Sequence, residues 1–255
     1  MLFRSDESEE RRGKPTLHEI HGVPLAINAG DTLLMLALGP LFQRCKQYGS
    51  WVGQQILDQT LRMAQETAEG QALDIGWRRD NRLDISVADY LEMVMKKTAW
   101  MSTIWPAQIG VLIGGRGKTN PECVTRFAYF LGVCFQIQDD ILNLKPNQGY
   151  GKEALGDLYE GKKTLMLIHL RENSSADEVQ EIDRILSLPR SERGQSDVSW
   201  LYHQMEHKGS LLYARTVAEA LTGAALHEFS LAFDHLPPSA DKEFMQSLPM
   251  WILTK

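Results

Sequence analysis

The sequence is poor in cysteine. Its three, Cys45, Cys123 and Cys134, are scattered with no C-x-x-C pair. That argues against a disulfide framework and a zinc site, and it fits a reducing cytoplasm. No unbroken run of about 18 apolar residues is present, so no bilayer-spanning segment is expected. The opening MLFRSDESEERRGK has no apolar centre and does not read as a signal peptide. There is no Gly/Ser linker, no repeat of roughly 20–50 residues and no sustained alternation of apolar and polar residues. Positive charge is not in excess: 27 Lys plus Arg stand against 33 Asp plus Glu, a formal charge of −6. A nucleic-acid partner is therefore not expected. An anionic substrate stays open, because a bound divalent cation reverses the local sign.

What is present reads as helix after helix. Apolar residues make up 43 % of the 255 and charged residues 24 %, as in an ordinary globular protein. Val23 to Leu41 is apolar nearly all round and predicts a buried helix. Gln54 to Ile75 predicts a second. Ser86, with Asp89 three residues on, has the pattern of a capping box and opens a third. Pro106 is expected to kink or end it. Pro121 opens a fourth helix running to Leu144, apolar over most of its circumference and so expected to be central. Residues 145–163 read as a Gly-punctuated polar loop, Thr164–Arg171 as a helix and Val179–Leu188 as a short amphipathic stretch. Helices resume from Asp197 to Leu236, and Pro237-Pro238-Ser239 starts a last short one. The expected class is all-α, a single domain of helices packed around an interior.

The strongest local chemical feature is Phe135-Gln136-Ile137-Gln138-Asp139-Asp140-Ile141-Leu142-Asn143. On a helix Gln136, Asp139, Asp140 and Asn143 lie within three or four residues of one another and form a polar patch on an apolar rod. Adjacent carboxylates in apolar surroundings repel and are costly to desolvate. A hard cation offsets that cost, and oxygen-only donors suit Mg²⁺. The alternative is a helix end that meets solvent. Downstream, residues 149–164 interleave glycines with Lys152, Lys162 and Lys163; glycines permit close approach and lysines supply point charges for phosphate. The order is not that of a P-loop, and a solvated surface loop is the competing reading. Arg11-Arg12, five residues after Asp6, suits forked recognition of diphosphate or a surface turn equally. Lys96-Lys97-Thr98 sits in a Met-rich apolar helix, where a lysine either snorkels out or faces a polar interior. Gly70-Gln71 and Asp74 add a further polar spot. His18/His21 and His203/His207 lack a metal-ligand pattern, and the six tryptophans and ten methionines are most simply core.

Six segments, in order, resemble the trans-isoprenyl diphosphate synthase (polyprenyl synthetase) family: DESEERRGKPTLHEIHG, AINAGD, EGQALDIGW, YLEMVMKKT, FQIQDDILNL and YGKEALGDLYEGKKTLMLIHL. They cover about two-thirds of the chain, from Asp6 to about His169. The resemblance implies an isoprenoid synthase-type all-α bundle around a deep central cavity. It implies an enzyme that condenses isopentenyl diphosphate with an allylic prenyl diphosphate to a short- or medium-chain prenyl diphosphate, geranylgeranyl diphosphate foremost. Three Mg²⁺ ions would hold the allylic diphosphate while its C–O bond ionises, and the departed pyrophosphate would take the proton. A cytoplasmic homodimer is also implied. By match to the family motifs, Asp139, Asp140 and Asn143 form the second Asp-rich motif, with Asn143 where many members have Asp. Arg11, Lys97, Thr98, Gln136, Lys152 and Lys162 fall at allylic diphosphate positions. Arg12 and Phe135 fall at the isopentenyl diphosphate, and Gln71 with Asp74 at a neighbouring polar pair.

The chain departs from the family at its start. The first motif reads DDxxD, with the arginine pair five residues after the last Asp. Counting back from Arg11 leaves Asp6 as the one remaining metal-ligand position, with Leu2 and Phe3 where the first two carboxylates belong. The helices that precede this motif in the family are missing as well. Three accounts follow: a piece of a longer enzyme, a shortened form with impaired activity, or a degenerate partner subunit that does not catalyse. A class I terpene cyclase shares the fold and metal logic, but FQIQDDILN, the RRG triplet and the KT pair fit chain elongation better.

Overall fold

The computed structural model describes residues 10–11, 13–144 and 155–254. It is a helical bundle with one vestigial hairpin, β1 (Glu10–Arg11) against β2 (Lys14–Pro15), antiparallel. The helices are α1 (Leu17–His21), α2 (Val23–Gln47), α3 (Ser50–Arg79), α4 (Val87–Val94), a π-helical segment (Met95–Ile104), α5 (Trp105–Gly114), α6 (Thr125–Asn143), α7 (Gly156–Glu160), α8 (Leu165–Glu172), α9 (Ala176–Ser187), α10 (Gln195–His207), α11 (Ser210–Phe233) and α12 (Ala240–Thr254).

α6 is the axis, packed between α11 and the π segment. Twelve of its nineteen residues are buried. Phe127 meets Phe229 and Phe233 edge-on at 5.5 and 5.8 Å, an arrangement worth roughly 0.5–1.5 kcal/mol per pair beyond area burial. Local signals set several boundaries. The Ser86 hydroxyl accepts from the Asp89 N–H and the Asp89 carboxylate accepts from the Ser86 N–H, the expected capping box. The Asn120 side chain caps the short 3₁₀ turn at Pro121–Val124 that leads into α6, and Thr164 caps α8.

Two expectations are corrected. First, Pro106 does not end its helix. Residues 87–114 stay helical because the π segment runs into the proline: the Trp105 N–H bonds the Trp100 carbonyl five residues back, and Pro106 falls in the first turn of α5, where a donor is not needed. The wide segment is held by two glycines. A Cβ on Gly70 would collide with the Lys97 backbone nitrogen, and one on Gly132 would lie 2.5 Å from the Thr103 hydroxyl. Second, α2 is not buried. Of its 25 residues only Cys45 is buried, and Leu25, Leu33, Leu34, Met35 and Leu36 face outward. All-round apolarity shows that a helix needs cover; it does not supply the cover, and the helix packed along α2 here is α3. By length and composition only, α2, with a mean hydropathy of 1.5, is the one helix among the described residues apolar enough to cross a membrane. The last helix, α12, is longer than expected at fifteen residues and contains Pro249.

Candidate active site at the carboxyl end of α6

Four elements bring polar side chains together near the end of α6. From α3 comes Asp74, from the π segment Lys97 and Thr98, from α6 Gln136 and Asp140, and from the α7–α8 turn Lys162. They border a cavity of about 30 Å³, narrow because ion pairs close across it. The Lys97 ammonium donates to the Asp74 carboxylate at 2.6 Å, and Arg78, one turn further along α3, reaches the same oxygen at 3.4 Å. Burial pushes the Asp74 carboxyl up, but Lys97 and Arg78, with Lys162, more than offset this and hold it below the usual carboxylate range. Lys162 donates to Asp157 at 2.5 Å and lies 3.5 Å from Glu160, which also pairs with Arg78 and Arg190.

A second chain of bonds crosses the cavity. The Thr98 hydroxyl donates to Gln136 Oε1 at 2.8 Å. Gln136 Nε2 donates to one Asp140 oxygen, also at 2.8 Å, and the Tyr90 hydroxyl donates to the other at 2.8 Å. Asp140 is 5 % exposed. Burial first, and the Asp157 charge second, raise its carboxyl to about 7 against the opposing pull of Lys162, Gln136 and Tyr90. Burial and the Asp140 charge in turn drive the Tyr90 phenol well above its ordinary value.

The sequence patch on α6 divides in two. Asp139 is partly exposed, whereas Asp140 and Asn143 turn inward. Asn143 Oδ1 accepts the Asp157 N–H at 3.0 Å, so this amide oxygen anchors the start of α7. Leu155, just before it, takes the left-handed conformation at φ 60°, uncommon for a residue with a Cβ. Phe135 packs against the core, and Gln71 lies one turn before Asp74 on α3. Asp6, Arg12 and Lys152 lie outside the described residues, as does the Arg11 side chain. Among the described residues no three His, Cys, Asp or Glu side chains gather as a metal-ligand set. The oxygen-only character of Asp139 and Asp140 still matches a hard divalent cation.

Tyr90, Arg78, Asp157 and Glu160 escaped the sequence reading. Tyr90 precedes Lys97 by seven residues, two helical turns, and that spacing was the available signal. Arg78 likewise follows Asp74 by four.

The pattern that defines the polyprenyl synthetase family matches residues 5–205. A geranylgeranyl diphosphate synthase of Sulfolobus acidocaldarius is 37 % identical over 174 residues, covering 68 % of this chain and 52 % of that protein. The chain thus spans about half the length of that curated relative. The crystal structure of geranylgeranyl pyrophosphate synthetase from Pyrococcus horikoshii superposes with a TM-score of 0.82 at 28 % identity, covering 100 % of this chain and 74 % of that one. A Corynebacterium glutamicum geranylgeranyl pyrophosphate synthase, solved with isoprenyl diphosphate and magnesium, shares the fold at a TM-score of 0.85 and 22 % identity, covering 99 % and 73 %. With the all-α bundle, the ordered motifs and this match over most of its length, the chain belongs to the polyprenyl synthetase family.

Proposed function

We propose that the protein is a trans-prenyltransferase that joins isopentenyl diphosphate to an allylic prenyl diphosphate and releases a short- or medium-chain prenyl diphosphate, geranylgeranyl diphosphate foremost. The observation that carries this reading is convergence. Lys97, Thr98, Gln136 and Lys162 are separated by up to 65 positions in sequence, yet they border one cavity at the end of the most buried helix.

Asp139, with Asp6 of the first Asp-rich motif, would hold Mg²⁺, which would supply charge stabilisation to the departing pyrophosphate. The remaining work falls to the chain itself. Lys97 is fixed by Asp74, and Lys162 by Asp157 with Glu160 at 3.5 Å. An ammonium has three donors, so Lys97 keeps capacity for phosphate oxygens while the positions of both lysines are set in advance. The Thr98–Gln136–Asp140–Tyr90 chain fixes the Gln136 amide, so no rotamer search is needed when substrate arrives. Asp140 belongs to this support; both of its oxygens are taken by protein donors. The aliphatic Met93 and Val94 on the cavity wall exclude water from an allylic cation. The outward apolar face of α2 is assigned to a homodimer, because a contiguous apolar surface of this size marks an interaction site.

The test is incubation with labelled isopentenyl diphosphate, each of three allylic diphosphates of increasing length, and Mg²⁺, with products separated by chain length. Elongated diphosphates are expected, and chelation of Mg²⁺ abolishes them. Failure to elongate any of the three, by protein that still binds pyrophosphate, rejects the reading.

A further inference from the structure

Beside the candidate active site lies a second and larger cavity, of about 240 Å³. One side of it is aliphatic, with Leu83 and Ile85 from the α3–α4 connection, Leu167 from α8 and Leu186 from α9; the rest of its lining includes Asp84, Ser86, Arg171 and Glu172. Lys163 borders both this cavity and the candidate active site. The Lys163 side chain is only 6 % exposed. Its ammonium donates to Asn81 Oδ1 at 3.2 Å, and among the described residues no carboxylate lies within ion-pair distance of it.

That arrangement is costly. An ammonium removed from water needs an opposite charge or a full set of acceptors, and one amide oxygen provides neither. The surrounding field makes matters worse. Burial chiefly, then the Arg193 and Arg171 guanidiniums, bring the Lys163 amine down to about 8, with Asp183 opposing weakly. Asp183 is committed to Arg171, through bonds of 3.0 and 3.1 Å. Arg193 is spent on backbone carbonyls of residues 158, 159, 185, 186 and 188. The two acids at the cavity, Asp84 and Glu172, are exposed, and Asp84 is paired with Arg82. Of the two cations on the cavity, Arg171 is thus committed to Asp183, and Lys163 faces the aliphatic side chains without a charged partner.

We propose that this cavity is a binding site for a small organic monoanion, a carboxylate on a short aliphatic chain, with the carboxylate on Lys163 and the chain against Leu83, Ile85, Leu167 and Leu186. The size fits: an apolar cavity of about 150 Å³ holds benzene, so one of this volume accepts somewhat more than six heavy atoms. The aliphatic side of the site lies outside the diphosphate cavity, which shares Lys163 with it, and the proposal does not depend on the activity proposed above.

Calorimetric titration of the whole protein with pentanoate, alongside 1-pentanol as the uncharged counterpart, tests it. One pentanoate per chain is expected, bound at least tenfold more tightly than the alcohol. Lys163→Met keeps the aliphatic stem and removes the charge; it is expected to weaken pentanoate at least tenfold while the melting temperature holds or rises. Leu83→Trp fills the cavity and should abolish binding even if the Lys163 variant fails to fold. Equal affinity for acid and alcohol, or undiminished binding by either variant, overturns the assignment.

Discussion

α2 and α6 read alike as sequences and behave as opposites in the molecule. Both are apolar around most of their circumference. α6 buries twelve of nineteen residues, and α2 buries one of 25. The difference lies in what surrounds each rod. α6 is enclosed by α11 and the π segment, which this chain itself supplies. α2 has α3 along one side and presents Leu33, 67 % exposed, on the other. Apolar content is thus a demand for cover, and only the three-dimensional arrangement shows whether the demand is met within the chain. The same demand explains why polar residues at the end of α6 are so tightly bonded to one another: surrounded by apolar side chains, each must find its partner inside.

That contrast can be broken by measurement. Phe127→Ala on α6 removes a fully buried ring and is expected to destabilise by about 3–5 kcal/mol in chemical unfolding. A loss below about 1 kcal/mol would mean that α6 is not the axis. Lys97→Met tests whether the polar end of the same axis does chemistry: turnover should fall by about 10²–10³-fold with the fold retained by circular dichroism. Unchanged turnover would leave Lys97 as a structural partner of Asp74. Tyr90→Phe strips one donor from the buried Asp140 and should cost about 1–3 kcal/mol. Its melting curve decides, and a neutral outcome would show that water replaces the hydroxyl. On α2, Leu33→Ala should change the stability of a single protomer by less than about 0.5 kcal/mol. Leu33→Glu should instead split the proposed homodimer in sedimentation velocity. A Glu variant that sediments as the wild type removes α2 from the interface.

The fold class was legible because period, caps and prolines all agreed. The Ser86–Asp89 box and the Asn120-Pro121 start were written locally, where a few residues decide the outcome. The site was legible to the extent that its residues sit at helical spacings. Lys97, Thr98, Gln136, Asp74 and Lys162 do converge. What stayed hidden depends on partners distant in sequence. Nothing near Asn143 announces that its amide turns to the Asp157 backbone, and nothing near Asp140 announces Tyr90, fifty positions away. The exposure of α2 was hidden for the same reason. The π segment was hidden because its residues are ordinary helix formers; the cause is the bare backbone of Gly70 on one flank and Gly132 on the other.

The π segment also sets the angular phase of everything after it. Each of its turns lodges one residue more than an α-turn, so α4 and α5 are not in the register a continuous α-rod would impose. Deleting a single residue between Met101 and Ile104 would let the rod tighten and change the angular phase of α5. Gln108, now bonded to Thr125 beneath α6, would be carried away from it, while Tyr90 and Lys97 stayed where they are. One codon, well clear of any diphosphate, would thus unfasten the floor of the bundle and leave its chemistry in place.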